Sequence, residues 1–237
     1  MKPIIADLHT HSIVSGHAFG TIRELAAGAA EKKLQLIGVT EHGPGTPGTC
    51  DPLYYWNYFD APRTLYGVEM LYGCEVNILT GGKISLEQKF LKHLDYAVAG
   101  IHAVCYKDEG MVSNTDNVIA CMQYDKVRFI SHPDDGRFPL DYPALVAAAK
   151  EFNVGLEINN GSLRKAYLRP GAFENYRRLL PLCAEAGVNV VVSSDAHDPI
   201  HVGCFELALG VLEELDFPDE LIVNNDMKKM KTFLDVK

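Results

Sequence analysis

Short apolar runs alternate along this chain with longer stretches of helical periodicity, and most of the apolar runs end on a residue able to bind a cation. The first, Pro3 to Ala6, reads as a buried strand and passes directly into Asp7-Leu8-His9-Thr10-His11-Ser12. A polar loop from Ile13 to Thr21 contains His17. The spacing then predicts a helix with Thr21 as N-cap, Glu24 at the capping-box position and Leu25, Ala26, Ala29 and Ala30 on its apolar side. Residues 35–40 form a second strand that runs out at Glu41-His42-Gly43, and residues 68–79 form a third, with Glu75 and Asn77 on one face. Between them lies a long loop through Trp56 and Tyr58, rich in Gly, Pro and aromatics, which suits either a substrate wall or plain surface packing.

The alternation continues to the end. A short helix over 86–91 precedes strand 96–101, which delivers His102, and a helix over 115–123 precedes strand 127–131, which delivers His132-Pro133. Helix 141–152 leads to strand 154–159 and a polar loop from Asn160 to Arg169. A helix over 170–186 follows, with Gly187 as its C-cap. Val188 to Ser194 is an almost unbroken β-branched run, as a strand buried on both faces requires, and it ends in Asp195-Ala196-His197. A last helix over 203–215 and a charged tail without visible chemistry complete the chain.

Seven strand–helix units imply an α/β fold, a parallel barrel of about seven strands in one domain over residues 1–237, with the polar strand ends gathered at its C-terminal mouth. A 237-residue chain that is 47% hydrophobic can bury such a core. The excess of 31 acidic over 22 basic residues, a formal charge of −9, is unlike a dedicated nucleic-acid binder. Short oligonucleotides stay open as substrates, because bound divalent ions would place positive charge at one point. Six cysteines without a Cys-x-x-Cys pair read as reduced core thiols, Cys74 and Cys105 included although they neighbour candidate ligands. The sequence shows no secretory h-region and no apolar run approaching about eighteen residues, so the expectation is a cytoplasmic protein with no membrane partner. Few exposed edges in a nearly closed barrel permit a monomer without requiring one, and the oligomeric state stays open.

Candidate chemistry sits at the strand ends. His9 and His11, two residues apart, share a face in an unbroken strand and converge on one point; Asp7, on the same face, is placed to accept a spare ring N–H and fix a tautomer. His42, Glu75, His102, His132, and Asp195 with His197 terminate or flank five further strands. Six strand ends so equipped imply a multinuclear metal site. Imidazole and carboxylate donors without thiolate suit Zn2+, with Mn2+ or Fe2+ as alternatives.

In this order, Asp7-Leu8-His9-Thr10-His11-Ser12, Thr40-Glu41-His42, Gly73-Cys74-Glu75, His102, Ser131-His132-Pro133 and Ser193-Ser194-Asp195-Ala196-His197 resemble the successive motifs of the PHP superfamily, named for polymerase and histidinol phosphatase. The resemblance extends from residue 4 to about 215 and is nearest to small stand-alone bacterial phosphatase-like proteins. It implies a distorted (β/α)7 barrel and three zinc ions. By the same resemblance, His9, His11, Glu75 and Asp195 surround one metal, Glu75 bridges to a second held by His102 and His132, and His17, His42 and His197 hold a third. His93 and His201 match no ligand position; His93 reads as structural.

The implied reaction is hydrolysis of a small phosphomonoester, with a metal-bridging hydroxide as nucleophile and with His9, Glu75 and Asp195 at the reacting centre. Arg164, Lys165 and Arg169, with Arg137, are candidates to hold the phosphate, and His201 to touch substrate. Glu157 and Asn159 suit either support of the ligands or a core ion pair. Asp134 and Asp135 suit either protonation of a leaving group or a capping role. Histidinol phosphate and the ends of short oligonucleotides are rival substrates within the superfamily. Metal-dependent C–N or C–O hydrolysis, as in amidohydrolase-like barrels, is the rival reaction class, and a metal-holding module without turnover is the third reading.

Overall fold

In the computed structural model, which describes residues 1–236, the first three elements are β1 (Ala6–Thr10), α1 (Ile22–Glu31) and β2 (Leu36–His42). The segment to the middle of the chain contains α2 (Leu53–Trp56), β3 (Thr64–Leu65), β4 (Val68–Leu79), β5 (Lys83–Ile84), α3 (Gln88–Leu91) and β6 (Ala97–Gly100). Then come α4 (Met111–Cys121), β7 (Val127–Ile130), α5 (Tyr142–Phe152) and β8 (Gly155–Asn159). The last third holds α6 (Asn160–Arg164), α7 (Ala172–Ala186), β9 (Val190–Ser193), α8 (Glu206–Glu214) and α9 (Met227–Leu234). β1-β2-β4-β6-β7-β8-β9 is the order of seven parallel strands, with β3 and β5 paired antiparallel to β4. Chain order is therefore also spatial order, as expected of a (β/α)7 barrel.

Two core layers follow from strand alternation. Met70, Tyr72, Val76 and Ile78 of β4 face outward with Ile37 and Val39 of β2 and pack against the helices. Leu36, Leu71, Val98, Phe129 and Val191 face inward and fill the barrel. Tyr96 also lies in this interior, where its hydroxyl donates to the Leu8 carbonyl at 2.6 Å. Only glycine fits at position 38, since a Cβ there would lie 1.8 Å from the Tyr96 oxygen. α1 is held as predicted: Glu24 N–H donates to Thr21 Oγ1 at 3.3 Å and Thr21 N–H to Glu24 Oε2 at 2.7 Å.

Several expectations require correction. The loop over 160–169 begins with α6, because Asn159 Oδ1 accepts from Ser162 N–H at 2.7 Å and caps a short helix. α4 spans Met111–Cys121, starting four residues earlier than the expected helix over 115–123. His93 lies just beyond α3 rather than on it, with its ring 4.6 Å from that of Trp56, a structural contact.

The charged tail has a structural task. β1 and β9 meet near the mouth at a single bridge between Thr10 and Ala196, where His11 N–H donates to the Ala196 carbonyl at 2.8 Å. Deeper in the barrel, Asn224 fills the seam between them. Its Nδ2 donates to the carbonyls of Ala6 and Val192, both at 2.7 Å, and its Oδ1 accepts from Val192 N–H at 3.1 Å. Met230, Phe233 and Leu234 of α9 then close the floor against the inner core.

Candidate metal centre

A β-bulge decides where β1 points. Three steps along β1, from Asp7 to Thr10, match two steps along β2, from Ile37 to Val39. The extra residue breaks the alternation, so Asp7 does not share a face with His9 and His11. Its carboxylate instead accepts from the backbone N–H groups of Ser194 at 3.1 Å and Gly203 at 2.9 Å, clamping two loops, and burial pushes it up to about 6. The role expected of Asp7 falls to Glu157, whose Oε1 stands 2.6 Å from His9 Nδ1.

His9 and His11 direct their Nε2 atoms at Glu75 and Asp195. His9 Nε2 lies 3.3 Å from Glu75 Oε2 and 3.8 Å from Asp195 Oδ1; His11 Nε2 lies 3.5 and 3.4 Å from the same atoms. Four donors about 2.0–2.1 Å from a tetrahedral Zn2+ would stand about 3.3 to 3.4 Å apart, so this quartet fits one ion. The other Glu75 oxygen, Oε1, faces His102 Nε2 at 3.3 Å and His132 Nε2 at 2.9 Å. Glu75 thus presents one oxygen to each of two donor groups. Toward the rim His17 Nε2 and His197 Nε2 are 3.1 Å apart, and the ring nitrogens of His42 converge with those of His11 and His197 and with Glu75 and His102. His42 stands between: its Nδ1 is 3.0 Å from Glu75 Oε2 and its ring stacks on that of His17 at 4.9 Å.

The inward nitrogens have no hydrogen-bond partner. His9 Nε2, His11 Nε2, His42 Nδ1 and His102 Nε2 are all buried without one. Such orphans are costly unless a cation accepts their lone pairs, and this donor set fits divalent metal. Meanwhile the opposite ring nitrogens are held. His102 Nδ1 lies 2.7 Å from Asn77 Oδ1, and His11 Nδ1 lies 3.2 Å from Ser15 Oγ. Ser15 also donates to Glu41 Oε2 at 2.5 Å and accepts from His42 N–H at 3.0 Å.

Electrostatics agree with ligation. Burial, aided at His11 by His42 and His197 and at His17 by His42, lowers the imidazoles of His11, His17, His102 and His197, the last to about 4, and keeps them neutral donors. For His9 burial also disfavours the charge, but the carboxylates of Glu157, Glu75 and Asp195 outweigh it and raise its pKa well above the ordinary value. Those acids mark a point of negative potential suited to a cation. Glu75 and Asp195, though buried, are held well below the usual carboxylate range by the surrounding histidines. His132 and Asp195 have φ of 35° and 51°, a left-handed backbone that turns each strand end sharply at the mouth.

The structure sorts the remaining candidates. Arg169 is mostly buried, donates to Ser162 Oγ at 2.8 Å and lies 3.7 Å from Asp195 Oδ2, whereas Arg164 is exposed on the cleft wall with Lys165 and His201. Arg137 grips Asp135 with two nitrogens, Nε to Oδ1 at 2.9 Å and Nη2 to Oδ2 at 2.6 Å, and its backbone N–H donates to Asp135 Oδ1 at 3.1 Å, which is the turn-capping role that the sequence offered for Asp135. Asp134 is fully buried and accepts from Tyr176 Oη at 2.7 Å. Glu157 takes four hydrogen bonds, from His9, Ser193, His132 N–H and Asn159, which makes it the support of the ligands. Cys74 is in the outer core and Cys105 is half-buried, and neither joins a donor group. Sequence reasoning missed the Glu41–Ser15 relay and Ser131, whose Oγ donates to Glu75 at 2.7 Å. For Glu41 and Ser131 the signal was their place beside His42 and His132; Ser15 carried none.

Comparison with known proteins bears on family and fold. The profile of the PHP domain family matches residues 7–161. A protein of Clostridium novyi named "Probable phosphatase" is 38% identical over 234 residues, 98% of this chain and 95% of that relative. Histidinol phosphate phosphatase from Lactococcus lactis, solved with zinc, L-histidinol and phosphate, superposes with a TM-score of 0.62 at 15% identity, covering 91% of this chain and 95% of that one. A chain from the crystal structures of YwqE of Bacillus subtilis and CpsB of Streptococcus pneumoniae, described as metal-dependent tyrosine phosphatases, gives 0.53 at 19% identity, covering 88% and 86%. These two structural likenesses bear on the fold. Among the described residues no helix is long and apolar enough to cross a membrane.

Proposed function

This chain belongs to the PHP domain family and is a phosphoesterase, and from that premise we propose a metal-dependent phosphatase that hydrolyses a small phosphomonoester. The single observation that carries the reading is the set of buried ring nitrogens without partners, aimed at the two oxygens of Glu75. We assign His9, His11, Glu75 and Asp195 to one Zn2+, Glu75, His102 and His132 to a second, and His17, His42 and His197 to a third; the same donors accept Mn2+ or Fe2+. Ions held by these residues would supply hydroxide at neutral pH and would neutralise charge on the phosphoryl oxygens.

The chain's own residues do the rest. Glu157, Asn77 and Ser15 fix the rings of His9, His102 and His11, so the donors are set before substrate arrives. Arg169, anchored by Ser162, presents a charged guanidinium to the phosphate; burial opposes that charge, and Asp195, Asp134 and Asp135 sustain it. Arg164 and Lys165 on the same wall add positive potential.

Elemental analysis of purified protein, combined with phosphate release from a panel of phosphomonoesters, tests this. About three metals per chain with turnover that collapses in His9→Ala and Asp195→Ala is the expected result. Turnover unchanged in those variants would sink the assignment. Full metal content with activity only on amides or lactones would move the chain to C–N or C–O hydrolysis.

A further inference from the structure

The cleft above the cluster has two lobes of different chemistry, which share His17, His42, His102 and Arg169. On the Asp195 side the wall carries Arg164, Lys165 and His201. On the His102 side it is built from Thr46, Pro47, Ile101, Ala103 and Val104, together with Arg137. Among the described residues no carboxylate lines this second lobe. Asp135, close by, is already gripped by Arg137. Val104 is 62% exposed, so its apolar surface is available from solvent.

Resting on the phosphatase reading, we propose that the second lobe receives the alcohol half of the substrate, and that the enzyme selects monoesters of uncharged, apolar alcohols over monoesters of amino alcohols. The phosphate dianion finds its cations on the Asp195 side, which leaves the carbon half to the lobe beside His102. An alkyl or aryl group there loses water against Pro47, Ile101, Ala103 and Val104. An ammonium in the same place gives up hydration, gains no unpaired carboxylate, since Asp135 is held by Arg137, and faces Arg169. Specificity thus comes from both an attraction and a repulsion. During hydrolysis, water adds to phosphorus, the P–O bond to the alcohol breaks and the alcohol leaves with a proton. The lobe recognises that departing alcohol.

A matched pair of esters isolates the effect, because n-butyl phosphate and 4-aminobutyl phosphate differ little at the reacting oxygen and chiefly in a terminal ammonium. With the zinc-loaded full chain, kcat/KM for the butyl ester should exceed that for the aminobutyl ester by at least about tenfold, the scale on which a pocket discriminates one polar or apolar group. Val104→Asp should bring the ratio to one or invert it. Equal rates for the pair, or a preference for the ammonium, overturn this inference while leaving the phosphatase reading intact. No turnover of either ester or of methyl phosphate by the metal-loaded protein overturns both. A preference that survives Val104→Asp undiminished places the discrimination elsewhere and overturns the lobe assignment.

Discussion

His9 Nδ1 and Glu157 Oε1 are 2.6 Å apart, and both side chains are fully buried. The pair joins the first strand of the barrel to β8 across its interior and leaves His9 Nε2 free to face Glu75 and Asp195. Burial would raise the Glu157 carboxyl, yet the facing His9 holds it below the usual carboxylate value. It therefore acts as a charged acceptor that fixes one tautomer of the ring. Glu157→Gln keeps the shape and removes the charge. Competition with a chromophoric chelator should show metal affinity at the His9 position falling roughly 10- to 100-fold. Affinity within about twofold of the parent would mean that Glu157 only packs.

Arg169 and Arg164 should separate in the same assay. Arg169 is anchored on Ser162 and close to Asp195, while Arg164 is exposed and contributes only long-range potential. A charge-assisted hydrogen bond of roughly 1.5 to 3 kcal/mol corresponds to about 10- to 100-fold in rate, so Arg169→Met should lower kcat/KM on phosphomonoesters by about that factor. Arg164→Ala should cost about threefold or less, and that loss should shrink at high salt. If Arg164→Ala proves the more damaging, the phosphate is held further out on the wall.

Metal removal should be visible in stability as well as turnover. The cluster buries several ring nitrogens without partners beside two carboxylates, an arrangement that metal binding satisfies in the folded state only. Ligand at 1,000 times its Kd stabilises by roughly 4 kcal/mol per site, or roughly 8 to 16 °C in Tm for a chain of this size. Differential scanning calorimetry of metal-loaded and chelator-treated protein checks this. Equal midpoints would show that the donors do not converge on ions in solution.

Much of this arrangement could be read in the sequence because most of the candidate ligands lie within or at the end of an apolar run, where a parallel barrel collects its functional groups. Glu75 is an instance: a carboxylate inside β4, flanked by apolar residues, has to find cations, and it faces His9, His42, His102 and His132. Asp7 departs from the face that alternation assigns it, because alternation assumes an unbroken strand and a bulge depends on how β1 pairs with β2, which periodicity does not encode. The Glu41–Ser15 relay was likewise hidden, since its members are 26 residues apart and meet only through the β1–β2 pairing. The tail was opaque for a related reason. Asn224 lies outside any strand pattern, and its value comes from two strands that are neighbours only once the barrel has closed.

That closure yields the last prediction. Asn224 satisfies the Ala6 carbonyl and both the N–H and carbonyl of Val192, so its fully buried side chain supplies hydrogen bonds that would otherwise continue a β1–β9 ladder. Asn224→Ala leaves these backbone groups without partners in the dry interior. A buried unsatisfied group costs about 1 to 3 kcal/mol, and partial relaxation should keep the total loss near about 3 kcal/mol. Urea unfolding should reveal that loss as a lower midpoint at unchanged slope. The seam also carries His11 through the Thr10–Ala196 bridge, so the variant should bind metal less tightly at the His11 position even where it stays folded. A variant of parental stability would show that β1 and β9 close the barrel without the tail.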